Sequence, residues 1–148
     1  MFKKIFSVFL TLCLVLIPFS TIYVSAAAIP EQGIMPLYNN TSSANCAMSI
    51  NDSGKMTISY RVYGYSSSTT KIVINTYIEK KIAGVLWSRV DIGETNDEWT
   101  DTINKTSYIG SRTYQLSSTG TYRVKVTYTV YGTGGTADVI PFTIEKTY

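Results

Sequence analysis

Residues Ser117 to Gly132 read SSTGTYRVKVTYTVYG. From Tyr122 the apolar side chains Tyr122, Val124, Val126, Tyr128 and Val130 fall on alternate positions, with Arg123, Lys125, Thr127, Thr129 and Tyr131 between them. Successive side chains of a β-strand point to opposite faces, so a period of two gives this segment one buried face and one wet face. Such strands belong to antiparallel sheets that cover a core on one side only.

The same rhythm runs outward in both directions. Cys46, Met48 and Ile50 alternate; so do Met56, Ile58, Tyr60 and Val62, and then Ile72, Ile74, Thr76 and Ile78. Asn51-Asp52-Ser53-Gly54, Gly64 with Ser66-Ser67-Ser68, and Ile82-Ala83-Gly84 separate these runs as turns. Around Trp87, Leu86, Ser88, Val90 and Ile92 alternate with Val85, Trp87, Arg89 and Asp91, and the indole favours its own face as the more buried one. Further strands are expected over 99–105 and 108–116. The last, 137–146, carries Ile140, Phe142 and Ile144 and pairs with the Tyr122 strand across Gly132-Thr133-Gly134-Gly135. No segment after residue 28 keeps a helical period. Parallel sheets need crossover helices, so about seven short strands in some hundred residues specify an all-β, antiparallel two-sheet sandwich.

Gly120-Thr121-Tyr122-Arg123-Val124 resembles the tyrosine corner of immunoglobulin-like sandwiches. There a tyrosine near the start of the penultimate strand returns its hydroxyl to the backbone a few residues upstream. Val124 stands where antibody domains place a cysteine, and no tryptophan lies on the third strand, so the resemblance is one of architecture. The signal-like N-terminus, Ile34-Met35-Pro36-Leu37, the Ser/Thr-rich strands and the Gly-Thr-Tyr-Arg-Val run together are similar to small exported β-domain proteins of Gram-positive bacteria, families of unknown function. That resemblance implies an immunoglobulin-like extracellular fold and carries no functional residues with it.

At the N-terminus, Lys3 and Lys4 precede an apolar run from Ile5 to Ile17 that Pro18 ends, and Val24-Ser25-Ala26 supplies small residues for cleavage. This is an export signal, residues 1–26, cut after Ala26. Ala28 offers a second register two residues on. Pro18, Ser20 and Thr21 argue against an uncleaved span, and Cys13 sits inside the apolar run rather than at its end, so no stable membrane anchor is expected after cleavage. Residues 27–43, with Pro30, Gly33, Pro36 and Asn39 to Ser43, have no sustained period and read as a flexible tail. The sandwich domain is then 44–148. It contains one cysteine, Cys46, so no internal disulfide forms and the core alone must hold the fold.

Removing Lys3 and Lys4 takes the net charge from +3 to +1, and no basic cluster of the kind a phosphate backbone demands is present, which excludes nucleic acid as the expected partner. The chain has no histidine, which removes the commonest general base and the usual catalytic zinc ligand. Acidic residues crowd into DIGETNDEWTD, residues 91–101. Asp97, Glu98 and Asp101 are the candidate calcium ligands there, because a hard cation takes several loop oxygens; a solvated loop is the competing reading. Eleven of the twelve tyrosines follow Ala26, and Tyr63, Tyr65, Tyr77 and Tyr131 fall on the polar faces of their strands. Exposed rings among Ser, Thr and Asn stack on sugars or anchor a protein partner, although tyrosine also simply suits strands. The sequence is therefore expected to encode a secreted, non-catalytic binding or structural module without a cofactor. Its ligand would be a glycan or cell-wall polymer held by those tyrosines, or alternatively a protein or a second copy.

Overall fold

The computed structural model describes residues 38–148. The export signal, its cleavage after Ala26 and most of the 27–43 segment lie outside the described residues. Within them the chain forms eight strands: β1 (Thr41–Ile50), β2 (Lys55–Gly64), β3 (Thr69–Ile82), β4 (Leu86–Arg89), β5 (Trp99–Ile103), β6 (Ser107–Gln115), β7 (Thr121–Gly132) and β8 (Asp138–Thr147). All pairings are antiparallel. One sheet has the order β1-β2-β6; the other runs β4-β3-β7-β8, with β5 also pairing β3. The two sheets pack as a β-sandwich. About seven strands were expected and eight form, one at each segment that the sequence marks out; β3 is long enough to pair β5 through Ile72–Thr76 and β4 through Glu79–Ile82.

The alternation read from the sequence is the alternation of burial. On β7 every one of Tyr122, Val124, Val126, Tyr128 and Val130 is buried, facing Met56, Ile58, Tyr60 and Val62 of β2. Ile72, Ile74 and Ile78 of β3 complete the centre, with Trp99 and Ile140 toward the flanks. Burying an aliphatic or aromatic side chain contributes roughly 1.5–3 kcal/mol, so this continuous layer is the main source of stability.

Where a disulfide is absent, polar ties join the sheets or their corners: the Tyr128 hydroxyl of β7 donates to the Asn45 carbonyl of β1 at 2.9 Å, and three more ties stand beside it. The Tyr122 hydroxyl donates to the Ser118 carbonyl at 2.7 Å and fixes the turn between β6 and β7. The buried Asp138 at the head of β8 accepts from the Asn39 and Asn40 amides, at 2.9 and 2.8 Å, and from the Thr41 hydroxyl at 2.8 Å, which ties β1 to the other sheet. Arg112 of β6 makes a two-pronged contact with Asp101 of β5, at 2.9 and 2.5 Å. The Asp138 contacts move the start of the ordered domain. Asn40 is fully buried and β1 begins at Thr41, so residues 39–43 are part of the fold and not of the tail that was expected to reach Ser43.

Cys46 points inward beside the Tyr128 hydroxyl and is half-buried. Burial pushes its thiol up to about 11, with the Tyr128 hydroxyl partly opposing the rise. A thiol so placed stays protonated at neutral pH and is a poor nucleophile.

Candidate binding faces

The four sequence-selected tyrosines do not form one platform. Tyr63 stands on the outer face of the three-stranded sheet, and Tyr65 lies in the connection from β2 to β3, its amide donating to the Asn40 carbonyl at 2.9 Å. Tyr77 and Tyr131 are on the outer face of the five-stranded sheet. Tyr77 pairs with Lys125 and Tyr131 with Lys71, six residues apart along β7, which separates the rings by about 20 Å. Each of those rings also carries a cation: the Arg89 guanidinium lies 3.8 Å from the Tyr77 centroid and Lys71 Nζ 4.1 Å from that of Tyr131. Strand period alone cannot tell which sheet a polar face belongs to, and here it mixed two opposite surfaces.

The outer face of the five-stranded sheet is a self-satisfied ladder. Arg123 stacks 4.2 Å over Trp87 while pairing with Glu79, and Arg89 reaches Glu98 at 3.7 Å and the Asn96 carbonyl at 2.5 Å. Trp87 is indeed half-buried, but under cationic side chains and not in the core. Cations over aromatic faces are worth about 0.5–1 kcal/mol each when exposed, so these rings serve the sheet itself.

The proposed calcium ligands are not brought together. Period two along β5 sends Asp101 inward to Arg112, whereas Glu98 just before the strand is bound by Asn75 Nδ2 at 2.5 Å and by Arg89 on the outer side. Asp97 lies on the turn Thr95–Asp97 with φ of 50°. Among the described residues no three His, Cys, Asp or Glu side chains gather closely enough to hold an ion. A shallow depression of about 380 Å³ lies beside Glu94, Asn96 and Glu98, but Glu98 is already engaged by a guanidinium and an amide.

A larger groove, about 470 Å³, lies on the outer face of the three-stranded sheet. Its floor is Ala47, Ser59 and Ser111, which stand side by side across β1, β2 and β6. The next row is Asn45, Arg61 and Ile109, and the one beyond it Ser43, Tyr63 and Ser107; on the other side of the floor stand Ser49, Thr57 and Thr113. The outward positions of the three strands thus hold hydroxyls, the Asn45 and Gln115 amides, two cations, Arg61 and, at the far end, Lys55, and two exposed large apolar side chains, Tyr63 and Ile109, and no carboxylate. Small side chains in the middle and longer ones at the rim make the depression. Gly110 contributes from beneath: a Cβ there would overlap the Tyr108 hydroxyl, so glycine lets that ring close the inner side. None of the lining residues was singled out from the sequence as a binding residue; Tyr63, which was, stands one row beyond the groove. The alternate outward positions were readable, but β2 and β6 are some fifty residues apart and nothing local announces that they pair.

Compared with known proteins, the chain matches no family model and no curated sequence.

Proposed function

We propose that this is a secreted, non-catalytic binding module of immunoglobulin-like type that holds a hydroxyl-rich, anionic glycan, such as a cell-wall polymer, on the outer face of its three-stranded sheet. The carrying observation is the groove over Ala47, Ser59 and Ser111 with Arg61, Asn45 and Ile109 at its rim, Tyr63 one row beyond, and no carboxylate on the face. Sugar recognition uses hydroxyl and amide hydrogen bonds beside an apolar or aromatic surface, and a guanidinium adds a charge-assisted contact to a phosphate or carboxylate. The tyrosine-corner hydrogen bond and the strand order, with β1, β2 and β6 facing β3, β7 and β8, support the immunoglobulin-like assignment. The absence of histidine and the engagement of Glu98 and Asp101 by arginines support a non-catalytic role. Export rests on the N-terminal pattern ending at Ala26.

A second reading has its own observation. β1 is a ten-residue edge strand with neither a charged residue nor a proline, and edges left so plain invite pairing with another chain. A protein ligand or a second copy would add there as a further strand. Binding of residues 27–148 to an array of wall fragments and glycans, alongside its mass in solution, separates the two. Retention that Arg61→Ala weakens supports the groove. A concentration-dependent dimer abolished by Ala47→Lys, without glycan retention, supports the edge.

A further inference from the structure

The most exposed large apolar side chains among the described residues are Val85, at 74 %, and Leu86, at 67 %, and both sit at the tip of the β3–β4 hairpin with Ile82, at 46 %. Between them stand Ala83 and Gly84, so five consecutive residues at the tip carry no polar side chain. The tip projects: β7 stops pairing with β3 at Lys80, and from Lys81 onward β3 is paired by β4 alone. The turn is closed by the Val85 amide to the Ile82 carbonyl at 3.2 Å, with Ala83 and Gly84 at φ of 50° and 75°. Two positive-φ residues make the turn that suits a hairpin, and asparagine is the favoured first residue of it. Alanine there keeps the tip apolar despite the backbone cost.

The neck has a different composition. Trp87 stands opposite Lys81, with Lys81 Nζ 5.4 Å and the Arg123 guanidinium 4.2 Å from its ring. Lys80 and Lys146 flank Tyr122 on the neighbouring strands. Two carboxylates lie near: Glu79 is taken by Arg123, and Glu145 stands opposite Arg123 on β8, while Arg89 opposite Glu79 turns to Glu98.

We infer that the hairpin tip is a docking element for an anionic phospholipid bilayer. From tip to neck come the aliphatic residues, then Trp87 and Lys81 on one rung, then Lys80 on the next, which matches a leaflet from hydrocarbon to an interface where indole and cationic side chains meet the headgroups. An apolar pocket in a protein partner would accept the tip but would not call for the cationic collar. The two residue steps from the Ile82–Leu86 rung to the apex of the turn reach about 7 Å, the depth of interfacial insertion and far short of a span. The contact is therefore peripheral and reversible. It uses a surface separate from the glycan groove and stands or falls independently of it.

The test uses residues 27–148, whose core lies entirely within 48–140, freed of the apolar leader that would itself bind lipid. Sedimentation with phosphatidylcholine vesicles is compared with vesicles in which about one third of the lipid is phosphatidylglycerol, together with tryptophan emission. Expected are salt-sensitive binding to the anionic vesicles and a blue shift arising from Trp87, since Trp99 is already buried. The double change Val85→Ser and Leu86→Ser removes no core contact and lowers partitioning at least about tenfold; Lys80→Gln with Lys81→Gln lowers it by a similar factor on anionic vesicles. Absence of binding to anionic vesicles, or binding that the serine changes leave intact in a protein with unaltered melting, overturns the inference.

Discussion

Tyr122 returns its hydroxyl to the carbonyl of Ser118, four residues earlier in the chain, at 2.7 Å. The ring itself is buried at the start of β7, and its hydroxyl fixes how the chain leaves one sheet and enters the other. Tyr122→Phe keeps the ring and deletes that bond. It is expected to lower stability by about 1 kcal/mol, seen as a lower urea midpoint with an unchanged slope. An unchanged midpoint would mean that the ring only packs.

Asp138 replaces, in chemical terms, what a disulfide does in other small sandwiches. Three donors from Asn39, Asn40 and Thr41 converge on it. Asp138→Ala leaves those donors without an acceptor at the junction of β1 and β8 and is expected to cost about 3 kcal/mol, with melting lowered by at least about 10 °C. Hydrogen exchange should rise first at the start of β1.

Ala83 occupies the left-handed region at φ of 50° in a turn whose residues are all exposed. Ala83→Asn relieves that conformation without removing a contact, and a gain of about 1 kcal/mol in thermal or urea unfolding is expected. The same change places a polar group at the proposed lipid-docking tip, so greater stability should accompany weaker vesicle binding.

Alkaline pH is the weak side of this fold. Burial raises the Cys46 thiol from 9.0 to about 11 and the Tyr60 hydroxyl from 10.0 to about 12, and raises Tyr128 as well. Each group holds its proton more tightly folded than unfolded. The stability this represents is complete below about pH 9 and is lost progressively as pH rises toward 12. Unfolding followed against pH should therefore steepen above 9, with the last tyrosinate absorbance appearing together with loss of the fold. At neutral pH iodoacetamide should label Cys46 only after denaturant is added.

Much of the fold was legible because its signal is local. Tyr122 to Val130, Met56 to Val62 and Ile72 to Ile78 announce strands by period two, and the buried residues are the ones that period selects. Long-range placement was not legible. Tyr63 and Tyr77 look alike as outward tyrosines, yet they lie on opposite surfaces because the chain changes sheets between β2 and β3. Asp97, Glu98 and Asp101 are close in sequence, yet alternation drives Asp101 inward and leaves Glu98 outside. Asp138 left a usable trace: it falls in register with Ile140, Phe142 and Ile144, the inward set of β8, where an acid demands buried donors. The groove left none, since Ser59 and Ser111 become neighbours only when β2 and β6 pair.

The most direct measurement is titration of residues 27–148 with anionic wall polysaccharide, followed by backbone amide NMR and repeated with Arg61→Ala. Shifts concentrated at Asn45, Ala47, Ser59, Arg61 and Ser111, with affinity reduced about tenfold or more by the alanine change, are the predicted result. Shifts confined to other surfaces, or affinity indifferent to Arg61, would contradict the assignment of the three-stranded face as the binding site.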